Sequence, residues 1–186
     1  VRLRLLNGCN ARILVLRLSD ATPLLQIANE AGLLAAPWPR SALTLAPGER
    51  AEVLVNFGLA RSGQVTRLLA STAGGGMGMG MGSGMGTGSE TEVTALTMRV
   101  DRPSQPGAMA SPPTRLSPAA AISAGPGATV RTFSLDGGMM GSPFTINGRR
   151  FDIGRIDLAM PAGATEVWRF VNATGMAHPM HVHGVR

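Results

Sequence analysis

The sequence predicts an all-β protein of sandwich or barrel type. Short apolar runs recur at roughly 8–12-residue spacing, each bounded by turn residues. Of 186 residues, 25 are Gly and 13 are Pro, a density of chain breakers that suits many short strands. Few long stretches carry the 3.6-residue apolar period of an amphipathic helix.

Residues 1–7 alternate, with Arg2 and Arg4 between Leu3 and Leu5, so they form a strand with one wet face. Asn7-Gly8 is a turn, and residues 12–18 are the next strand. Residues 24–28 form a third apolar run, followed by Ala31-Gly32-Leu33-Leu34. Pro37, Trp38 and Pro39 read as a stiff connector. Leu43 and Leu45 lead into a turn at residues 46–50. Residues 52–57 hold Val53, Leu54, Val55 and Phe57, bulky or β-branched side chains that favour a strand.

The pattern breaks at residues 73–89, a run of Gly and Met too rich in Gly to hold regular structure cheaply. A strand resumes over residues 92–100. Residues 101–129 are rich in Pro, Ser, Ala and Gly and read as a linker between domains. Residues 130–135 start a second strand series. Residues 144–152 form a hairpin about Asn147-Gly148, Pro161-Ala162-Gly163 is a turn, and residues 166–172 are another strand. The expected organisation is a β domain over 1–100, the linker over 101–129, and part of a second β domain over 130–186.

Composition excludes several function classes. The net charge is +6 and every basic residue is Arg. These arginines are dispersed, and with 4% aromatic residues the interleaved basic and aromatic clusters of a nucleic-acid surface are missing. The charge reads as a solubility feature. A single cysteine, Cys9, cannot form an internal disulfide and leaves the compartment open; it reads as a small buried hydrophobe. No apolar run approaches the ~20 residues of a membrane-spanning helix. The first residue falls inside a strand pattern and the last follows a histidine cluster, so an internal piece of a longer protein is expected.

Two segments repeat. Leu3-Arg4-Leu5-Leu6-Asn7 resembles Trp168-Arg169-Phe170-Val171-Asn172, each followed by a short turn and a second strand. In the first copy that strand is residues 12–18; in the second it is the histidine stretch. Two related β domains are implied, only the second bearing histidines.

All three histidines lie in His178-Pro179-Met180-His181-Val182-His183. Pro179 disfavours helix at His178. On a strand His181 and His183 share a face, roughly 6.5–7 Å apart at Cα, while His178, at an odd offset, points elsewhere. Imidazole suits Cu, Zn, Fe and Ni. A histidine-rich surface strand without a ligand is the plain alternative. A zinc hydrolase lacks support, because no H-E-x-x-H helix exists.

The stretch His178 to Gly184 is similar to the H-P-x-H-x-H-G motif of multicopper oxidases, in their last cupredoxin domain. Leu-Arg-Leu-Leu-Asn-Gly-Cys-Asn-Ala-Arg at 3–12 and Leu-Ala-Pro-Gly-Glu-Arg-Ala-Glu-Val-Leu-Val-Asn at 45–56 resemble the middle domain of bacterial three-domain members. Thr-Ile-Asn-Gly-Arg-Arg-Phe-Asp at 145–152 resembles the start of their third domain. The laccase-like cuprous oxidases of bacteria are the implied relatives. The resemblance implies cupredoxin-like Greek-key domains, one near-complete without copper ligands and one partial. It implies that His178 ligates a type 1 copper, His181 a type 2 copper and His183 one of a type 3 pair. Copper would be the cofactor, dioxygen the oxidant, and Cu(I) or a phenol the reducing substrate. A periplasmic or secreted location is also implied.

The remaining ligands, including a Cys thiolate for the type 1 site, are expected outside these residues, in a His-Cys-His motif downstream and in a preceding domain. Cys9 lies in the histidine-free copy and is no substitute. Alone, the chain is expected to be inactive. Met77, Met79, Met81 and Met85 on the Gly-rich run, with Met139 and Met140, carry soft thioethers that favour Cu(I); the alternative is a flexible loop without metal. A phosphate loop is disfavoured by the lack of Lys. Met176 matches the position of a substrate-copper methionine in cuprous oxidases, against simple packing; Thr174 stands where those enzymes carry Asp. The competing function is a copper-free structural or scaffold protein of the cell envelope with the same fold. A two-domain copper oxidase or nitrite reductase is disfavoured by the histidine-free first copy.

Overall fold

The computed structural model describes residues 1–72, 92–102, 111–118, 122–138 and 141–183. The chain forms two compact units, one of Val1–Ala120 with Pro179–Arg186 and one of Ala121–His178. The expected Gly/Met loop at 73–89, and with it Met77, Met79, Met81 and Met85, lies outside the described residues, as do Met139 and Met140.

The first unit holds eight strands: β1 (Arg2–Leu6), β2 (Leu14–Leu18), β3 (Leu24–Asn29), β4 (Gly32–Arg40), β5 (Leu43–Leu45), β6 (Arg50–Leu54), β7 (Val65–Thr72) and β8 (Val93–Arg99). They make two four-stranded sheets, ordered β1-β6-β3-β4 and β5-β2-β7-β8. All ladders are antiparallel. The chain passes between sheets repeatedly, and each passage turns one face of a strand inward.

Leu24, Ala51 and Val53 from the first sheet meet Leu16, Leu18, Leu43, Leu45, Leu68 and Ala70 from the second in one buried cluster. Each fully buried Leu or Val contributes about 1.5–3 kcal/mol. The period-2 alternation of the sequence is the direct cause: on β6, Ala51 and Val53 are buried while Glu52 and Leu54 are half-buried.

Two elements differ from expectation. Pro37-Trp38-Pro39 is no connector but part of β4, an edge strand of the first sheet. An edge position tolerates proline because a missing donor there breaks no second ladder. The Trp38 ring is capped by the Arg40 guanidinium, 3.7 Å from its centroid. Ala35 of β4 also accepts a 2.9 Å hydrogen bond from the Leu116 amide. The second difference is β7, for which no strand was expected. Its buried face is Thr66, Leu68 and Ala70, so small and polar side chains hide its alternation. The Thr66 hydroxyl donates to Asp20 Oδ2 at 2.8 Å.

The second unit has three strands, β9 (Thr129–Asp136), β10 (Thr145–Ile146) and β11 (Glu166–Asn172), ordered β10-β9-β11. β11 runs parallel to β9 and places Phe170 opposite Phe133. The Phe133 ring lies 5.1 Å from Trp168 and 5.3 Å from Phe170. At the end of this face Arg131 donates to both Glu166 oxygens, at 2.6 and 2.8 Å, and Trp168 Nε1 donates to Glu166 Oε2 at 3.0 Å. The Arg131 bonds, then the Trp168 bond, hold the Glu166 carboxyl below its ordinary range.

The Asn147-Gly148 turn is present. Both residues have positive φ, 51° and 73°, the pair that a two-residue type I′ hairpin turn requires. Ile146 and Arg149 close it with mutual backbone bonds of 2.9 and 3.0 Å.

Candidate functional site

The repeated segments share one device. Asn7 ends the ladder of β1; its Oδ1 accepts the Cys9 amide at 3.0 Å, and its Nδ2 donates to the carbonyls of Arg12 (2.7 Å) and Leu45 (2.8 Å). Asn172 ends β11; its Oδ1 accepts the Thr174 amide at 3.0 Å, and its Nδ2 donates to the Met176 carbonyl at 2.6 Å. In each copy an Asn folds the chain back by bonding the backbone two residues on. The internal similarity is therefore structural. Cys9 is half-buried rather than fully buried.

The second copy then delivers His178. Thr174 Oγ1 lies 2.7 Å from His178 Nε2. The same hydroxyl is 2.7 Å from Asn172 Oδ1 and 3.1 Å from the Met176 carbonyl, and it accepts the Met176 amide at 3.3 Å. Phe144 meets the imidazole edge-on, centroids 5.5 Å apart. The Phe144 ring is seated against Gly138, where an added Cβ would fall 2.4 Å from the ring; at Gly137 an added Cβ would fall 2.0 Å from the Pro143 carbonyl oxygen. Met176 is half-buried with its amide and carbonyl both engaged in this turn.

His181 and His183 belong with the first unit. Their rings meet edge-on with centroids 4.7 Å apart, as two positions of equal parity allow. His181 Nδ1 lies 3.4 Å from Glu30 Oε2, and Glu30 also pairs with Arg50 at 3.2 Å. Met180, His181 and Val182 border an open recess of about 470 Å³ with Glu30, Arg40 and Arg50. The expected strand is absent here: the described residues from 177 to 183 join no ladder. Pro179 contributes no amide donor to one.

The imidazoles fit a soft or borderline metal such as copper. Among the described residues no three His, Cys, Asp or Glu side chains converge on one point, so a metal held by these imidazoles would need further donors. Sequence reasoning noted Asn172 as the end of a repeat and Thr174 as a departure from the family's Asp but missed that both hold His178, and it missed Phe144 altogether. The Asn-x-Thr turn signal was available for the first two; nothing local marks Phe144.

This all-β architecture is the cupredoxin fold of multicopper oxidase domains. Residues 126–186 match the family described as multicopper oxidase, and the chain belongs to that family. It is 36% identical over 184 residues to cell division protein FtsP of Dickeya dadantii (strain 3937), covering 99% of this chain and 37% of that protein. It thus spans little more than a third of the length of that curated relative. Among solved structures, it superposes on the McoA multicopper oxidase of Aquifex aeolicus with a TM-score of 0.76 and 31% identity, covering 98% of this chain and 40% of that one. The laccase-like multicopper oxidase CueO of Ochrobactrum sp. superposes with a TM-score of 0.72 and 33% identity, covering 92% and 38%.

Proposed function

We propose that the chain is the part of a multicopper oxidase that covers most of a ligand-free cupredoxin domain, residues 1–100, a linker over 101–129, and the opening of a copper-binding cupredoxin domain, residues 130–186. The observation that carries this is the seating of the histidines: His178 held at Nε2 by the Asn172 turn, and His181 paired edge-on with His183. His178 would hold a type 1 copper, His181 a type 2 copper and His183 one of a type 3 pair. Copper in such centres supplies one-electron oxidation of substrate and reduction of dioxygen to water. The chain's own residues orient the imidazoles: Thr174 and Phe144 fix the His178 ring, and the short offset between His181 and His183 aims both at one region. Met176, in the same turn, is a candidate contact for an incoming Cu(I) or phenolic substrate. A periplasmic or secreted location accompanies this reading; no helix among the described residues is long and apolar enough to cross a membrane.

The name of the FtsP relative favours a second reading, a copper-free scaffold of the cell envelope. Copper loading of the full-length protein separates the two. The oxidase reading expects stoichiometric copper, a blue absorption band and its loss in His178→Ala. A protein that takes up no copper at His178 supports the scaffold.

A further inference from the structure

Arg40 stands on the core-facing side of an edge strand, and the copper centres proposed above give it no role. It lies opposite Leu24 in the β3–β4 ladder. Directly opposed residues share a face, so its side chain leaves the sheet on the side of a fully buried leucine. Two neighbours fix the guanidinium. Its Nε donates to Gln26 Oε1 at 3.2 Å, and its Cζ sits 3.7 Å from the centre of the Trp38 ring. Gln26 is itself 8% exposed, and its Nε2 donates to the Ala28 carbonyl at 3.4 Å, which leaves Oε1 for the arginine. Both ladders of β3 shift register between Gln26 and Ala28, an irregularity of the kind that re-aims a side chain. Among the described residues no carboxylate pairs with Arg40.

Arg40 borders the recess of about 470 Å³, whose apolar lining is the core itself at Leu43, Leu45 and Ala51. The other charged side chains there are engaged. Glu30 Oε1 takes the Arg50 amide and guanidinium, each at 3.2 Å, and Arg50 also donates to the Gly48 carbonyl at 2.9 Å. Glu49 Oε2 accepts the Ala46 amide at 2.6 Å. Arg40 and Arg50 balance Glu30 and Glu49, so the recess as a whole does not draw anions. What it offers is one held guanidinium fork beside apolar surface. Such a fork matches the two oxygens of a carboxylate, and clefts of this size with few convergent polar groups are the usual form of a small-molecule site.

We propose that this recess binds a monocarboxylate with a compact apolar body, its oxygens on the terminal N–H groups of Arg40 and its body on Leu43, Leu45 and Ala51. The proposal is independent of the copper reading. An inward arginine on an edge strand also discourages strand pairing, a role that needs no ligand, and the experiment distinguishes the two. The full-length protein is labelled with ¹⁵N-tryptophan, and the Trp38 indole resonance is assigned by its loss in Trp38→Phe. Hexanoate is expected to shift that resonance saturably, with a dissociation constant of about 1 mM or tighter. Acetate, which lacks the apolar body, should bind at least roughly tenfold more weakly. Hexanamide, without the charge, and inorganic phosphate, without the apolar body, should give no saturable shift. Arg40→Gln should abolish hexanoate binding. Arg40→Lys, which keeps the charge but not the fork, should weaken it roughly tenfold, as should Gln26→Met, which frees the guanidinium. No saturable shift in the wild type, equal binding of hexanamide, or hexanoate affinity unchanged in both Arg40 variants overturns the site.

Discussion

The two asparagines that close the repeated turns make the same bonds in different surroundings, and their removal should separate stability from site geometry. Asn7 is 1% exposed. Truncation to Ala deprives the Leu45 carbonyl of its 2.8 Å donor in a buried position, and the Arg12 carbonyl and Cys9 amide of partners in part-buried ones. An orphaned buried group costs about 1–3 kcal/mol, and each of the two lost bonds that water can partly replace costs about 0.5 kcal/mol. Asn7→Ala should therefore destabilise the first unit by about 2–4 kcal/mol. Asn172 is exposed, so water can take its place, and Asn172→Ala should cost about 0.5 kcal/mol or less. The chain's two tryptophans, Trp38 and Trp168, fall one in each unit. Urea unfolding followed by Trp38 fluorescence in a Trp168→Phe background should show the Asn7→Ala midpoint lowered by about 1–2 M, at a slope of about 2 kcal/mol/M. Equal, small shifts for the two variants would refute the assignment of Asn7 as a buried hydrogen-bond hub.

Gly138→Ala places a side chain at φ 83° and 2.4 Å from the Phe144 ring. A cost of about 1–3 kcal/mol is expected, together with a changed His178 ring environment, read as a shift of its carbon-bound proton resonances. Two carboxylates should tie folding to acid. Burial pushes Asp20 up, but bonds from the Thr22 amide and the Thr66 hydroxyl outweigh it and leave the pKa lowered. Its stabilisation is then present above the ordinary carboxylate pKa and lost as pH falls through the lower folded value. Asp20→Asn should flatten that acid limb for the first unit, measured as urea midpoint against pH. Glu166 is lowered by Arg131 and Trp168, so Glu166→Gln should flatten the same limb for the second unit, followed by Trp168 fluorescence.

Much of the fold was legible because a half-buried strand writes its pleat into the sequence. Leu3 and Leu5, or Ala51 and Val53, are buried or half-buried at every second place. β7 was illegible because Thr66 and Ala70 share its inner face with Leu68, and burial there depends on a neighbour rather than on hydrophobicity. β4 was misread because Pro37 and Pro39 are evidence against a strand until its edge position is known. In the candidate site, equal parity anticipated the meeting of the His181 and His183 rings, although the strand supposed to produce it is not there. The support of His178 was half legible. Asn172 and Thr174 lie close in sequence, but Phe144 reaches the ring from 34 positions away, a separation that no local pattern encodes.

The prolines of β4 also bear on how a nascent chain fails. Exposed sheet edges template foreign strands. β4 has two positions without an amide to offer, and its Ala35 carbonyl is already taken by Leu116. An incoming strand would find that ladder interrupted. β8, at the edge of the other sheet, has no proline and exposes Val93 and Leu96. Misassembly of partly made protein should therefore begin at β8, and a charged residue introduced at Leu96 should improve the soluble yield where the same change on β4 would do little.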